Sequence, residues 1–207
     1  QQQKQTNHTT NTTNPVNTSF PAITIKENGK DKQLYVVGPD WYNAQGGTSM
    51  QIPPGGRSYL ATSNALGPSN WYTVNLLGGS ISYDVNLSQS GCSCNAALYL
   101  VLMPAKDEGG NPVSHDKPAD YYCDANQVSG SWCPEFDIME ANTYAWHSTP
   151  HKCDPPNDKG HYYHCDGGGS CFQVAHQKLA GKYGPGNQYA INTEQTFNAK
   201  IEWGTGG

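Results

Sequence analysis

The chain has 207 residues, a formal net charge of −5 and only 14% charged residues. That balance excludes nucleic acid and acidic membrane surfaces as natural partners, and no apolar run reaches membrane length. With 7 Cys, 23 Gly, 14 Pro and 13 Tyr and little 3.6-residue periodicity, the composition predicts a loop-rich, disulfide-bonded β protein of the secreted type, better matched to a neutral polymer.

Residues 1–19 read as a Gln/Thr/Asn-rich tail with too few apolar residues to fold alone, and residues 20–207 as one domain. Four Asn-X-Ser/Thr acceptors, at Asn7, Asn11, Asn17 and Asn86, agree with passage through a eukaryotic secretory pathway. No signal peptide is present, so Gln1 is read as a mature N-terminus of an extracellular protein. From Phe20 onward, short strands between Gly/Pro/Asn turns are expected at Ala22 to Lys26, Gln33 to Val37, Ser58 to Ala61, Trp71 to Leu76, Ser80 to Leu87 and Ala96 to Met103. Ser80 to Leu87 alternates as a half-buried antiparallel strand should. Ala97 to Met103 is continuously apolar and is expected to be covered on both faces, which suggests two stacked sheets. A short helix is expected over Ser170 to Leu179.

Chemistry concentrates in Glu135-Phe136-Asp137-Ile138-Met139-Glu140. In an extended strand Glu135 and Asp137 share a face and Glu140 points away. One extra residue near Ile138-Met139, a β-bulge, would return Glu140 to the same face. Crowded carboxylates cannot all ionise easily, so one holds a proton while another stays charged. Two carboxyl groups about 5 to 5.5 Å apart define a retaining glycosidase. Glu135 is then the nucleophile, Glu140 the acid/base, and Asp137 the carboxylate that orients Glu135. A solvated acidic edge strand is the plain alternative for these three residues taken alone. No Cys/His spacing of the zinc type occurs, so neither metal nor cofactor is expected, and His161 and His164 read as polar surface.

Four further segments give these acids a context. Cys92-Ser93-Cys94-Asn95-Ala96-Ala97-Leu98-Tyr99 resembles the C-x-x-N-G-A-L-Y strand of glycoside hydrolase family 7, the cellobiohydrolases and endoglucanases. Tyr122-Cys123-Asp124, the Cys133 to Asn142 strand and Thr149-Pro150-His151-Lys152-Cys153 resemble, in the same order, that family's Y-C-D, C-S-E-M-D-I-W-E-A-N and T-P-H-P-C motifs. Tyr183-Gly184-Pro185-Gly186 and the following Ile191 to Trp203 resemble its Y-G-P-G turn and next strand. The resemblance implies an all-β, concanavalin-like jelly-roll sandwich of two antiparallel sheets, with a groove that binds β-glucan and retaining hydrolysis of β-1,4-glucan. It places Glu135, Asp137 and Glu140 on the catalytic positions and Asn95, Tyr99, Tyr122, Asp124, Asn142 and His151 on groove positions. Taken alone, Tyr99 and Tyr122 fit core aromatics, and His151 fits a structural histidine in a Pro-rich turn.

The resemblance also pairs Cys123 with Cys133 and Cys153 with Cys165, bridges that each contribute on the order of 2 to 4 kcal/mol. Gln127 and Trp132 together replace the partners of a neighbouring family disulfide. Cys92, Cys94 and Cys171 remain, an odd set that leaves room for a disulfide-linked partner or self-assembly. Family members continue well beyond the strand matching Ala199 to Trp203, so the jelly roll is expected to be incomplete at its C-terminal end. A non-catalytic carbohydrate-binding or extracellular structural protein on the same fold is the competing reading.

Overall fold

The computed structural model describes residues 19–38, 47–52, 55–114, 120–171, 173–174, 178–179, 181–205. Asn7, Asn11 and Asn17, with nearly all of the expected tail, lie outside them.

An Asn28-Gly29 turn with φ of 50° and 78° joins β1 (Ala22–Glu27) to β2 (Lys30–Val37), the mirror-image geometry that matches strand twist in a two-residue hairpin. β3 (Tyr59–Ala61) adds to β2, and two small cores form there, one of Phe20, Val37 and Ala61, the other of Ile23, Leu34 and Val36. The strand expected over Trp71 to Leu76 does not form. After a 3₁₀ turn at Pro68–Asn70, Trp71 bridges Ala61 and Tyr72 bonds Leu60, but residues 73–75 are exposed and find no ladder partner among the described residues.

β4 (Ser80–Val85) pairs with β11 (Phe197–Glu202), and the expected alternation holds as far as the buried Leu87. β5 (Ala96–Val101), β6 (Glu135–Ala141), β7 (Trp146–His151) and β8 (Gln173–Val174) form a four-stranded antiparallel sheet in that order. β9 (Tyr183–Gly184) and β10 (Ile191–Asn192) form a short parallel pair. The main core joins Val85 and Leu87 to Met139, Ala141 and Tyr183, with Tyr83, Leu98, Trp146 and Phe197 packed around them. It therefore lies between the β4–β11 pair and one face of the four-stranded sheet, a sandwich that leaves the sheet's other face open.

That open face corrects two expectations. β5 is not covered on both sides: Ala97 is exposed and the other residues of 96–101 are only partly buried. Within the span expected to be helical, Gln173–Val174 forms β8, whose backbone pairs with His147 and Ser148, while Lys178 is helical and residues 172 and 175–177 lie outside the described residues. Cys123–Cys133 and Cys153–Cys165 are disulfides, while Cys92, Cys94 and Cys171 are exposed thiols. No helix among the described residues is long and apolar enough to cross a membrane.

Candidate active site

The acid strand is bulged where its spacing requires. Glu135 and Glu140 are five residues apart on β6, yet their partners are four apart on both neighbours, Val101 and Ala97 on β5 and His151 and His147 on β7. The register breaks between Asp137 and Glu140, so Ile138-Met139 absorbs the odd residue. Phe136 turns to Trp203, Met139 and Ala141 enter the main core, and the three carboxylates share the opposite, open face.

Each acid has its own surroundings. Glu135 is half-buried and accepts the backbone N–H of Ala125 at 3.0 Å. Burial, reinforced by the nearby Asp137 and Asp124, pushes its carboxyl up to about 7 against the opposing Ala125 bond and His151. Asp137 is 6% exposed and meets Nε2 of His151 at 2.9 Å. Burial first and Glu140 second push it up to about 6, while His151 pulls the other way. The imidazole itself is held above its ordinary value: burial disfavours its charge, but the Asp166 carbonyl, bonded to Nδ1 at 2.7 Å, and Asp137 outweigh that. Glu140 accepts the Nδ2 amide of the exposed Asn95 at 3.0 Å. Glu135, Asp137 and His151 each place a potential ligand atom within 4.8 Å of the others.

Not every expected groove residue joins these acids through its side chain. Tyr99 lies directly across from Asp137, and its ring meets Tyr122 edge-on at 6.3 Å. Burial raises both phenols, with Asp124 and Glu135 contributing. Asp124 is 3% exposed and spends Oδ1 on the backbone N–H groups of Asn126 and Val128, which shapes the loop that holds Glu135. Asn142 caps the β6–β7 turn, accepting from Tyr144 and Ala145 and donating to the Cys94 carbonyl, so its side chain belongs to the turn rather than to the acids.

Arg57 was missed by sequence reasoning. Its guanidinium stacks 3.7 Å above the Tyr122 ring and donates to Asp120 at 3.0 Å. Tyr59 donates to the other oxygen of Asp120 at 2.6 Å. The partners are more than 60 residues apart in sequence, and a Gly-Gly-Arg turn has no spacing that announces them.

A β-sandwich whose open sheet face carries three carboxylates on a bulged strand, walled by tyrosines, defines a jelly roll of the glycosidase-like kind. No protein-family model matches the chain. It is 30% identical over 171 residues to endoglucanase type C of Fusarium oxysporum, covering 71% of this chain and 39% of that protein. It is 29% identical over 201 residues to endoglucanase EG-1 of Trichoderma longibrachiatum, covering 84% of this chain and 41% of that one. The chain thus spans about two fifths of the length of these curated relatives. Among solved structures, the Humicola insolens endocellulase superposes with a TM-score of 0.65 at 22% identity, covering 89% of this chain and 66% of that chain. An endoglucanase I complexed with cellobiose gives 0.66 at 22%, covering 92% of this chain and 68% of that chain. The chain resembles glycoside hydrolase family 7 in sequence and in fold. Neither fold nor comparisons support a disulfide partner or self-assembly through Cys92, Cys94 or Cys171.

Proposed function

We propose that the open face of the four-stranded sheet is the cleavage site of a retaining β-1,4-glucanase. The observation that carries this reading is the bulge, which brings Glu135, Asp137 and Glu140 onto one face although their spacing in a regular strand would separate them. Glu135 attacks the anomeric carbon to form a glycosyl-enzyme, Glu140 protonates the departing oxygen and then takes a proton from water, and Asp137 with His151 orients Glu135. Asn95 holds the Glu140 carboxyl in place. Tyr99, Tyr122 and Arg57 build the adjoining wall, where sugar hydroxyls and ring faces find donors and aromatic surface. The curated relatives are endoglucanases and one structural neighbour holds cellobiose, which supports a β-glucan as the polymer. The two disulfides support an extracellular setting.

One observation favours exchanged roles. A carboxyl held near 7, as Glu135 is, suits a proton donor, with Glu140 then attacking. Mass spectrometry after incubation with an activated 2-deoxy-2-fluoro-cellobioside tests both assignments. A stable adduct on the peptide carrying Glu135 supports the first, an adduct at Glu140 supports the second, and turnover with inversion and no adduct contradicts both.

A further inference from the structure

His151 uses both ring nitrogens, and the two partners are chemically unlike. Nδ1 lies 2.7 Å from the backbone carbonyl of Asp166, which can only accept, so Nδ1 must carry a hydrogen. Nε2 lies 2.9 Å from Oδ2 of Asp137. With the hydrogen of a neutral imidazole already on Nδ1, a bond between Nε2 and a carboxylate oxygen exists only if one further proton lies between them. The pair is then imidazolium and carboxylate, or imidazole and carboxylic acid, and in either form its net charge is zero. Both side chains are more than nine-tenths buried, so solvent has little access to compensate a missing proton.

The turn that supplies the carbonyl is built for a fixed position. Asp166 donates its backbone N–H to the Lys152 carbonyl at 2.8 Å and follows the Cys153–Cys165 disulfide directly. Its side-chain Oδ1 accepts the Gly169 N–H at 2.9 Å and closes the turn. Gly169 has φ of +68°, and a Cβ there would overlap Thr149 Cγ2 and stand 3.2 Å from His151 Cε1. A Cβ on Gly167 would stand 2.5 Å from Asn126 Oδ1 and 3.0 Å from the Ala125 carbonyl, in the loop that holds Glu135. The absence of side chains at these two glycines lets one turn rest on both supports of the acid cluster.

We infer that the Asp166–Gly169 turn is a positioning element of the site: its carbonyl fixes the hydrogen of His151 on Nδ1 and so obliges Asp137 and His151 to share one additional proton. The shared proton removes the charge that Asp137 would otherwise set against Glu135. The charged and titratable groups facing His151 are Glu135 and Asp137 from β6 and Asp166 from the turn, and Glu140 and Asp124 act on Asp137. This inference rests on the proposed glucanase reading for its catalytic meaning, but not for its test.

Long-range ¹H–¹⁵N spectra of the histidine rings of the full chain, recorded from pH 5 to 9, read the tautomer directly. Wild type is expected to show His151 protonated on Nδ1 throughout, with its Nε2 proton retained past neutrality. Asp166→Ala, which removes the closing bond, and Gly169→Ala, which forces the turn away, are expected to lose that preference. They should lower kcat/KM at pH 7 by about tenfold with little change in KM. Asp166→Asn keeps an acceptor oxygen for Gly169 and should keep the Nδ1 hydrogen. Gly181→Ala introduces comparable backbone strain at φ +76°, with no atom within 4 Å of the added Cβ, and should leave the His151 spectrum as in wild type. A neutral wild-type ring with its hydrogen on Nε2 overturns the inference even if neither variant folds, and so does an unchanged tautomer in both variants. An inactive wild type that shows the expected spectrum leaves the positioning role standing and removes only the glucanase reading.

Discussion

The backbone N–H of Ala125 meets the Glu135 carboxylate at 3.0 Å, ten residues ahead of it in sequence. This single bond works against the burial that pushes Glu135 up to about 7. A carboxyl raised in the folded state has a definite effect on stability. Below the unfolded value near 4.5 both states are protonated and nothing is lost. As pH climbs from there to 7 the unfolded chain ionises first, and folding stability falls. Thermal unfolding should therefore show a lower Tm at pH 7.5 than at pH 5, with Glu135 contributing about 2 kcal/mol of the loss. Glu135→Gln should be as stable as wild type near pH 4.5 and more stable at pH 7.5.

Asp137, pushed up to about 6, loses stability in the same direction as pH rises from 4 to 6. The raised His151 acts in the same direction at higher pH: its contribution is present below the unfolded value near 6.5 and is lost as pH rises through its folded value. Asp137→Asn and His151→Gln should each lower kcat by about 10²-fold or more, and the double variant should cost far less than the product of the two, as a proton-sharing pair requires. A double-mutant cycle on kcat checks this.

These parts were unequally legible in the sequence. The bulge was readable because three acids at spacings of two and three, with apolar residues between, make sense on one face only if a residue is absorbed, and Met139 in the core confirms which residues turned inward. The alternation of Ser80 to Leu87 gave β4 for a similar local reason. Trp71 to Leu76 misled because Trp71 and Tyr72 serve contacts to Ala61 and Leu60 while Thr73 and Val74, β-branched but exposed, join no ladder among the described residues. The Arg57–Asp120 pair and the approach of Gly169 to His151 are products of tertiary packing, and no local period encodes either.

Arg57 and Asp120 make the next test. Asp120 is 5% exposed and receives both Arg57 and Tyr59. Asp120→Ala leaves a partly buried guanidinium and a phenol without their acceptor and should destabilise by about 1 to 3 kcal/mol in chemical denaturation, the lower figure reflecting the solvent that still reaches Arg57. Arg57→Met should cost less stability but raise KM for soluble oligosaccharides, since the wall over Tyr122 loses its charged donor.

Cys123 and Cys133 are 0% and 2% exposed and pack with Ala105 beside the loop that carries Asp124 and Ala125. Replacing both by Ser should cost about 2 to 4 kcal/mol and lower kcat more than it raises KM, because the Ala125 N–H loses its fixed position before the tyrosine wall does. Equilibrium unfolding and steady-state kinetics on the double variant measure the two effects.

Asn86 is exposed, and its Oδ1 accepts the N–H of Ser88, a turn that leaves the amide nitrogen open to solvent. Expression in a eukaryotic secretory host should give a glycan mass at this residue that endoglycosidase removes and Ser88→Ala abolishes, as read by intact-mass spectrometry.

Retaining cleavage of β-1,4-glucan at this open face is the activity proposed for the chain. Proton NMR of the purified chain with soluble cello-oligosaccharides, run beside Glu135→Gln and Glu140→Gln, tests it most directly. New β-anomeric signals should appear first, equilibrate with α later, and be absent in both variants. An α-anomer appearing first, or no cleavage of any β-glucan by folded wild type, would contradict it.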